Sequence, residues 1–138
     1  MGILLFVSCN LNYVSPIPDF PVYLRIDMNS EYTTFWQNPY QYRVFEKPRL
    51  ANERVGYSGI VVFCDIDNVY YAYDLCCPNE QKQDIKIIPN DIGEAVCEEC
   101  GEVYNLTFGM GVPTQGISKH PLKRYNIQLN KRIITVVP

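Results

Sequence analysis

The amino-acid sequence predicts an all-β protein, built as a small antiparallel sandwich or barrel. Apolar residues occur in short runs, several of these runs alternate with polar residues, and turn-forming residues separate them at close intervals. No segment shows a sustained helical period. The 138 residues suffice for one domain with a hydrophobic core. A hydrophobic content of 47% that includes 11 tyrosines is typical of a folded, strand-rich chain.

The first half of the domain contains four predicted strands. In "PVYLRIDM", the side chains of Val22, Leu24 and Ile26 share one face, as in a half-buried strand. Trp36 is expected to anchor the next segment into the core. "YQYRVFE" is predicted as a strand that ends before a proline, and "LANERVGYS" is predicted as a loop or short turn. "GIVVFCD" is predicted as a buried strand in which Cys64 belongs to the core or a strand edge. "VYYAYDL" pairs with it as a hairpin across the turn "DIDN".

Five further short strands are predicted in the second half of the chain. They are "DIKIIP", "EAVC", "EVYNLT", "RYNIQL" and "RIITVV". Because every predicted element is a short strand, helix-based folds are excluded.

The N-terminal segment "MGILLFVSC" resembles the end of a bacterial lipoprotein signal. Its apolar run from Ile3 to Val7 is too short to span a bilayer, and no basic residues precede it. Ser8 then precedes Cys9, the expected lipidation site. This interpretation makes 1–9 a truncated signal, 10–20 a proline-rich tether and 21–138 a single domain. The alternative is a buried first strand with an ordinary cysteine.

Composition and motifs exclude several functional classes. The net charge is −3 and no block of lysine or arginine occurs, so a nucleic-acid partner is not expected. The one histidine lies outside any nucleophile motif. No paired-carboxylate or phosphate-loop pattern stands out, and the sequence therefore gives no indication of catalysis.

The segment "CEECGEVYNLTFG" carries the clearest chemical pattern. Cys97 and Cys100 lie in a tight turn between two predicted strands, and Gly101 permits the positive φ angle that such a turn needs. This arrangement suits metal binding by thiolates. A thioredoxin-type redox site would be followed by a helix, which is not predicted here. Glu98 and Glu99 would also disfavour a free thiolate.

Three segments together resemble the Rieske iron–sulfur domain. They are "YYAYDLCCPNE", "AVCEECGEVYNLTFGMG" and "PLKRYNIQLNKRIITV". The family shows a strand ending in Cys-x-His, a loop Cys-x-x-His-Gly, and later strands in the same order. The resemblance covers residues 59–138 and is similar in type to small exported lipoproteins. It implies a Rieske-like β domain with two metal-loop-type hairpins that meet at one end, and an electron-transfer ancestry.

The resemblance assigns the site residues one by one. Cys77 and Cys97 match the two family cysteines, whereas Asn79 and Cys100 stand where the family has histidines. Since neutral amide oxygen is a poor ligand for iron or zinc, a regular cluster with two histidines and two cysteines cannot form from these residues.

Three alternatives for the site remain open at this stage. In the first, Cys77, Cys97 and Cys100 bind a single metal ion, with zinc favoured over a two-iron, two-sulfide (2Fe–2S) cluster. The fourth ligand is then Cys76 or His120, although adjacent residues of a strand point opposite ways, and His120 in "SKHPL" also fits an exposed loop position.

The second alternative is an iron–sulfur cluster ligated by four cysteines, which would have a low reduction potential. The third is a site without metal, in which two thiols pair as a disulfide in an oxidising compartment.

The sequence as a whole thus predicts an exported Rieske-like lipoprotein whose thiolate site binds a single metal ion. Its membrane contact is a lipid anchor, and its expected location is the bacterial envelope, facing the periplasm. The alternative function is a metal-free, non-catalytic exported module that uses the scaffold for binding or structure. The pattern does not identify a protein partner or an electron partner.

Replacement of Cys9 by serine tests the lipid anchor. Serine cannot accept the thioether-linked lipid, so the Cys9→Ser variant should move from the membrane fraction to the soluble fraction. Fractionation followed by immunodetection measures the distribution. An unchanged membrane fraction in the variant would exclude lipidation at Cys9.

Overall fold

The computed structural model describes residues 13–138, so Cys9 and the rest of the predicted lipoprotein signal lie outside the described residues. Within 13–138 the chain forms eleven strands and two short 3₁₀ helices, Thr33–Phe35 and Thr107–Gly109. The predicted all-β class is confirmed. The strands are β1 Val22–Asp27, β2 Tyr42–Phe45, β3 Arg54–Val55, β4 Ile60–Cys64, β5 Tyr70–Asp74, β6 Ile88–Pro89, β7 Glu94–Val96, β8 Val103–Asn105, β9 Val112–Pro113, β10 Arg124–Asn130 and β11 Ile133–Val137.

The strands form two sheets in which neighbouring strands are antiparallel. The larger sheet has the order β2-β4-β5-β10-β11-β1-β3, and the smaller has the order β6-β7-β8-β9. In the larger sheet, β1 lies between β11 and β3. Leu24 of β1 is opposite Val136 of β11, and Val22 of β1 is opposite Val55 of β3. The chain leaves the large sheet after β5, builds the small sheet, and returns as β10 beside β5.

The β4–β5 hairpin separates two hydrophobic cores, because alternate side chains of a strand point to opposite faces. Ile60, Val62 and Cys64 pack with β1 and β11 in the first core. Val61 and Phe63 pack in the second core, which also contains residues of the small sheet. All five residues of β4 are therefore buried. This double burial explains why the sequence of β4 is continuously apolar, and it confirms Cys64 as a core residue.

Three local predictions differ from the structure. The segment "LANERVGYS" contains β3, and only Ile88–Pro89 of "DIKIIP" is a strand, although Lys86 forms an isolated bridge with Cys76. The anchor of the segment before β2 is Phe35, which is fully buried, whereas Trp36 packs only partly against the core. An irregular segment has no repeating pattern of buried positions, so its sequence does not show which of two adjacent aromatic residues faces inward.

The segment from Tyr13 to Phe20 has no regular structure but contacts the domain. Ile17 is buried, and its carbonyl oxygen accepts a hydrogen bond from Lys123 Nζ at 3.1 Å. Lys123 also pairs with Asp19. Within 13–138, no helix is both long and apolar enough to cross a bilayer.

Asp74, at the end of β5, joins the large sheet to the first cysteine loop. Its buried carboxylate accepts hydrogen bonds from the backbone N–H groups of Tyr57 at 2.8 Å and Cys76 at 2.8 Å. Ser58 N–H donates at 3.2 Å and Tyr125 Oη at 2.7 Å. Four donors thus replace the water that a buried carboxylate loses, and they hold the chain just before Cys77 in place.

Substitutions at Asp74 and Tyr125 test this junction. Tyr125→Phe removes one donor and should lower the free energy of unfolding by about 1–2 kcal/mol. Asp74→Ala leaves several buried N–H groups unpaired and should lower it by about 3 kcal/mol or more. Urea denaturation measures both values. The exposed Tyr23 supplies the matched control, since Tyr23→Phe should change stability by less than about 0.5 kcal/mol. Equal effects of the two Tyr→Phe changes would contradict the assigned role.

Candidate metal centre

The first cysteine turn follows β5. Cys77 donates its backbone N–H to the carbonyl of Ile85 at 3.0 Å, and the carbonyl of Cys77 accepts from Gln81 N–H at 2.8 Å. Gln81 has a φ of 59°, in the left-handed region. This bond closes a tight turn over residues 77–81 and directs the Cys77 side chain into the second core.

The second cysteine turn repeats this hydrogen-bond pattern between β7 and β8. Cys97 N–H donates to the carbonyl of Glu102 at 2.9 Å, and the Cys97 carbonyl accepts from Gly101 N–H at 2.8 Å. Gly101 has a φ of 76°, as the predicted turn required. No helix follows Cys100, since the chain enters β8 at Val103. The structure therefore agrees with the argument against a thioredoxin-type site.

The two turns meet at one end of the second core, as the family resemblance predicted. The sulfur atoms of Cys77, Cys97 and Cys100 all lie within 4.8 Å of one another. The Sγ atoms of Cys77 and Cys100 are 3.8 Å apart. This separation is too long for a disulfide bond, and the three cysteines are free thiols in the structure.

Burial divides the three thiols into two groups. Cys77 and Cys97 are fully buried, whereas Cys100 is half-buried. Burial raises the pKa of the Cys97 thiol to about 12. Burial also acts to raise the pKa of Cys100, but hydrogen bonds from the backbone of Glu102 and the side chain of Asn79 outweigh it, and the pKa lies below its ordinary value. Cys100 is therefore more easily ionised than Cys97.

Cys76 does not belong to this group of thiols. Asn79 is exposed, and its side chain acts to lower the pKa of Cys100. Cys76 Sγ lies 3.4 Å from the carbonyl oxygen of Lys82 and outside the thiol group. Burial raises the pKa of Cys76 to about 11. The opposite orientation of Cys76 and Cys77 follows from the alternation of side chains along an extended chain.

His120 likewise lies outside the thiol group. Its Nδ1 atom is 3.0 Å from the hydroxyl of Tyr13, and the two rings are tilted against each other. The structure thus places the histidine beside the N-terminal segment and does not bring it to the thiols.

Glu102, two residues after Cys100, organises the loop over residues 114–118. Its fully buried carboxylate accepts backbone hydrogen bonds from Gln115 at 2.8 Å, Ile117 at 2.9 Å and Ser118 at 2.7 Å, and from Val103 at 3.1 Å. These donors outweigh the effect of burial, and the pKa of Glu102 is lowered. The carboxylate therefore stays charged and keeps the loop closed.

Tyr104 lies beside the thiols. Its hydroxyl lies 3.6 Å from Cys77 Sγ. The sequence reasoning did not identify Glu102 and Tyr104 as site residues. The alternation in "GEVYNL" carried a usable signal, because Glu102, Tyr104 and Leu106 fall on one face and the latter two are apolar core residues.

Comparisons with known proteins support the fold. No protein-family model matches the sequence, and no curated protein matches it. A chain in the structure of the complex of reduced oxygenase and oxidized ferredoxin in carbazole 1,9a-dioxygenase is similar, with 13% identity, a TM-score of 0.51 and coverage of 86% of this chain and 94% of that chain.

Two further solved structures are similar at lower scores. The ferredoxin of carbazole 1,9a-dioxygenase from Nocardioides aromaticivorans IC177 has 16% identity, a TM-score of 0.48 and coverage of 87% and 97%. A protein described as a nitrite reductase NADPH (small subunit) oxidoreductase has 10% identity, a TM-score of 0.47 and coverage of 88% and 100%. At these identities the likeness concerns the fold alone. The chain from the oxygenase–ferredoxin complex, with its TM-score of 0.51, supports the Rieske-like fold predicted from the sequence.

The Glu102→Gln substitution tests whether the Glu102 carboxylate keeps the loop closed. Loss of a charge-assisted hydrogen bond, about 1.5–3 kcal/mol, should raise the open population of the loop about tenfold or more. In metal-free Glu102→Gln protein, Cys77 should then react faster with a thiol reagent by that factor, as measured by mass spectrometry. Glu31→Gln, at an exposed position outside both cysteine turns, should leave the rate unchanged. Equal rates in the two variants would contradict the role of Glu102.

Proposed function

We propose that this protein is a metal-binding domain that holds one divalent ion, Zn²⁺, between Cys77, Cys97 and Cys100. The Rieske-like fold and its ferredoxin neighbours suggest that the scaffold derives from electron-transfer proteins. The observation that carries the proposal is the closeness of the three sulfurs, which all lie within 4.8 Å of one another.

The sulfur spacing fits a single tetrahedral ion. Two thiolates bound at about 2.3 Å to zinc at the tetrahedral angle lie about 3.8 Å apart. Cys77 and Cys100 have a sulfur–sulfur distance of 3.8 Å. The ligands of the two irons in a 2Fe–2S cluster lie on opposite sides of the cluster, so the compact group of three sulfurs favours one ion over a cluster.

The residues present do not fit a cluster held by two histidines and two cysteines. Asn79 and Cys100 stand at the histidine positions, and His120 is hydrogen-bonded to Tyr13. A cluster held by four cysteines is not favoured either, because Cys76 Sγ faces the carbonyl of Lys82. Zinc needs no redox-active ligand set, and three thiolates with one further ligand are a common arrangement for it.

Attachment to the bacterial envelope is the second part of the proposal. The motif of Ser8 and Cys9 after an apolar run, followed by a proline-rich segment, supports a lipid anchor that faces the periplasm. A bound zinc ion would suit such a protein, because bound thiolates resist the oxidation that free thiols undergo in that compartment.

Metal analysis of anaerobically purified protein tests the proposed ion. Elemental analysis should give about one zinc per chain, and the protein should be colourless, without the electron paramagnetic resonance signal of a reduced histidine-ligated cluster. Cys97→Ser and Cys100→Ser should each lower the zinc content and weaken binding by about tenfold or more, because serine is a poor zinc ligand.

Two buried cysteines outside the thiol group supply matched controls. Cys64→Ser and Cys76→Ser should retain full zinc content even if they lower stability, since neither side chain belongs to the group. One cluster per chain, or a protein that takes up no zinc while its thiols are reduced, would overturn the proposal. The second outcome would instead favour the metal-free binding module.

A further inference from the structure

A zinc ion bound by these thiols would have one buried side and one side toward solvent. Cys77 and Cys97 are fully buried, and Tyr104 closes the site behind Cys77. Cys100 is half-buried, and its neighbour Asn79 is exposed. Three sulfurs occupy three corners of a tetrahedron, so the fourth corner determines what the ion can do.

Among the described residues 13–138, no further cysteine, histidine or carboxylate side chain lies beside the three thiols. The group of closely spaced cysteine, histidine and carboxylate ligand atoms contains Cys77, Cys97 and Cys100 alone. Asn79 is exposed beside this group, and its neutral amide is a poor ligand for zinc.

The charges around the turns restrict which ligand the fourth corner accepts. The two cysteine turns and residues 82–86, which follow the first turn, carry four carboxylates and two ammonium groups, namely Glu80, Asp84, Glu98, Glu99, Lys82 and Lys86. Three thiolates already leave a zinc ion with net negative charge. An additional anion would be repelled by both the thiolates and the carboxylates, whereas a neutral nitrogen donor would not.

We propose that the fourth position of the metal is open and takes a neutral nitrogen ligand from outside this chain, of the imidazole class. This inference rests on the proposed zinc site. The opening lies on the side of Cys100 and Asn79, where a histidine side chain of a partner can reach the ion and displace a bound water. The thiols fix the metal, and the incoming imidazole completes its tetrahedron without altering the buried side.

Cobalt substitution of the full chain provides the test, because the visible absorption of Co²⁺ reports its ligands. Imidazole should shift the ligand-field bands in a saturable manner with one site per chain, while the sulfur-to-cobalt charge-transfer band keeps its intensity. Azide at the same concentration should cause no shift. Acetyl-histidine amide should act like imidazole if the opening admits a side chain carried on a peptide. A response to imidazole alone would limit the ligand to small molecules and contradict the partner histidine.

Variants separate the possible fourth ligands. Asn79→His should place an imidazole at the open corner, giving the shifted spectrum without added ligand and no further response. Glu98→Gln with Glu99→Gln should allow azide to bind if charge sets the selectivity. His120→Ala should respond to imidazole as the unmodified chain does. A response that appears only in His120→Ala would identify His120 as the ligand and overturn the inference.

The outcomes distinguish this inference from the proposed function. A protein that binds one Co²⁺ through three thiolates but ignores imidazole supports the metal site and overturns the open position. A protein that binds no Co²⁺ with its thiols reduced contradicts the metal site itself, and the open position with it.

Discussion

The packing of the second core, between the β4–β5 hairpin and the small sheet, is the interaction on which the site depends. Cys77 and Cys97 are members of this core, together with Phe63, Tyr73 and Tyr104. Their positions are therefore determined by apolar packing and not by a flexible loop. Interiors of proteins are close-packed, so neither thiol can move far without opening a void. The candidate site is rigid because two of its three thiols are part of the core.

Polar contacts inside this core connect the sheets to the thiols. Tyr73 Oη donates to the carbonyl of Leu106 at 2.9 Å, which joins β5 to the end of the small sheet. The Tyr104 hydroxyl lies beside Cys77 Sγ, and Glu102 closes the adjacent loop. Each of these buried polar groups has a partner, as burial requires. The same contacts that stabilise the fold thus limit access to Cys77 and Cys97 and leave Cys100 as the accessible thiol.

The repeated turn geometry explains how one scaffold can change its ligands. In both turns, the carbonyl of the first cysteine accepts the N–H four residues later, and the donor has a positive φ. Backbone bonds define the turns, so the side chains at intermediate positions can change without unfolding them. Asn79 and Cys100 are such positions. Where the Rieske pattern has two imidazoles, this chain has an amide and a thiol, and the proposed ion would displace the protons of the three thiols.

The sequence by itself determined the all-β class, the central hairpin, the Gly101 turn and, through the family resemblance, the meeting of Cys77 with Cys97 and Cys100. These features depend on local alternation, on turn residues and on motif order, which one chain carries in its own residues. Lipidation of Cys9 also rests on sequence alone and stays a prediction, because it lies outside the described residues.

Only the tertiary structure decided which neighbouring side chain faces the site. A shift of one residue turns a side chain to the opposite face, so local patterns could not separate Cys76 from Cys77, or Trp36 from Phe35. The contact of His120 with Tyr13 and the loop bonds of Glu102 join residues distant in sequence. Such contacts arise from the way the sheets pack, and the residues concerned carry no local signal that names their partners.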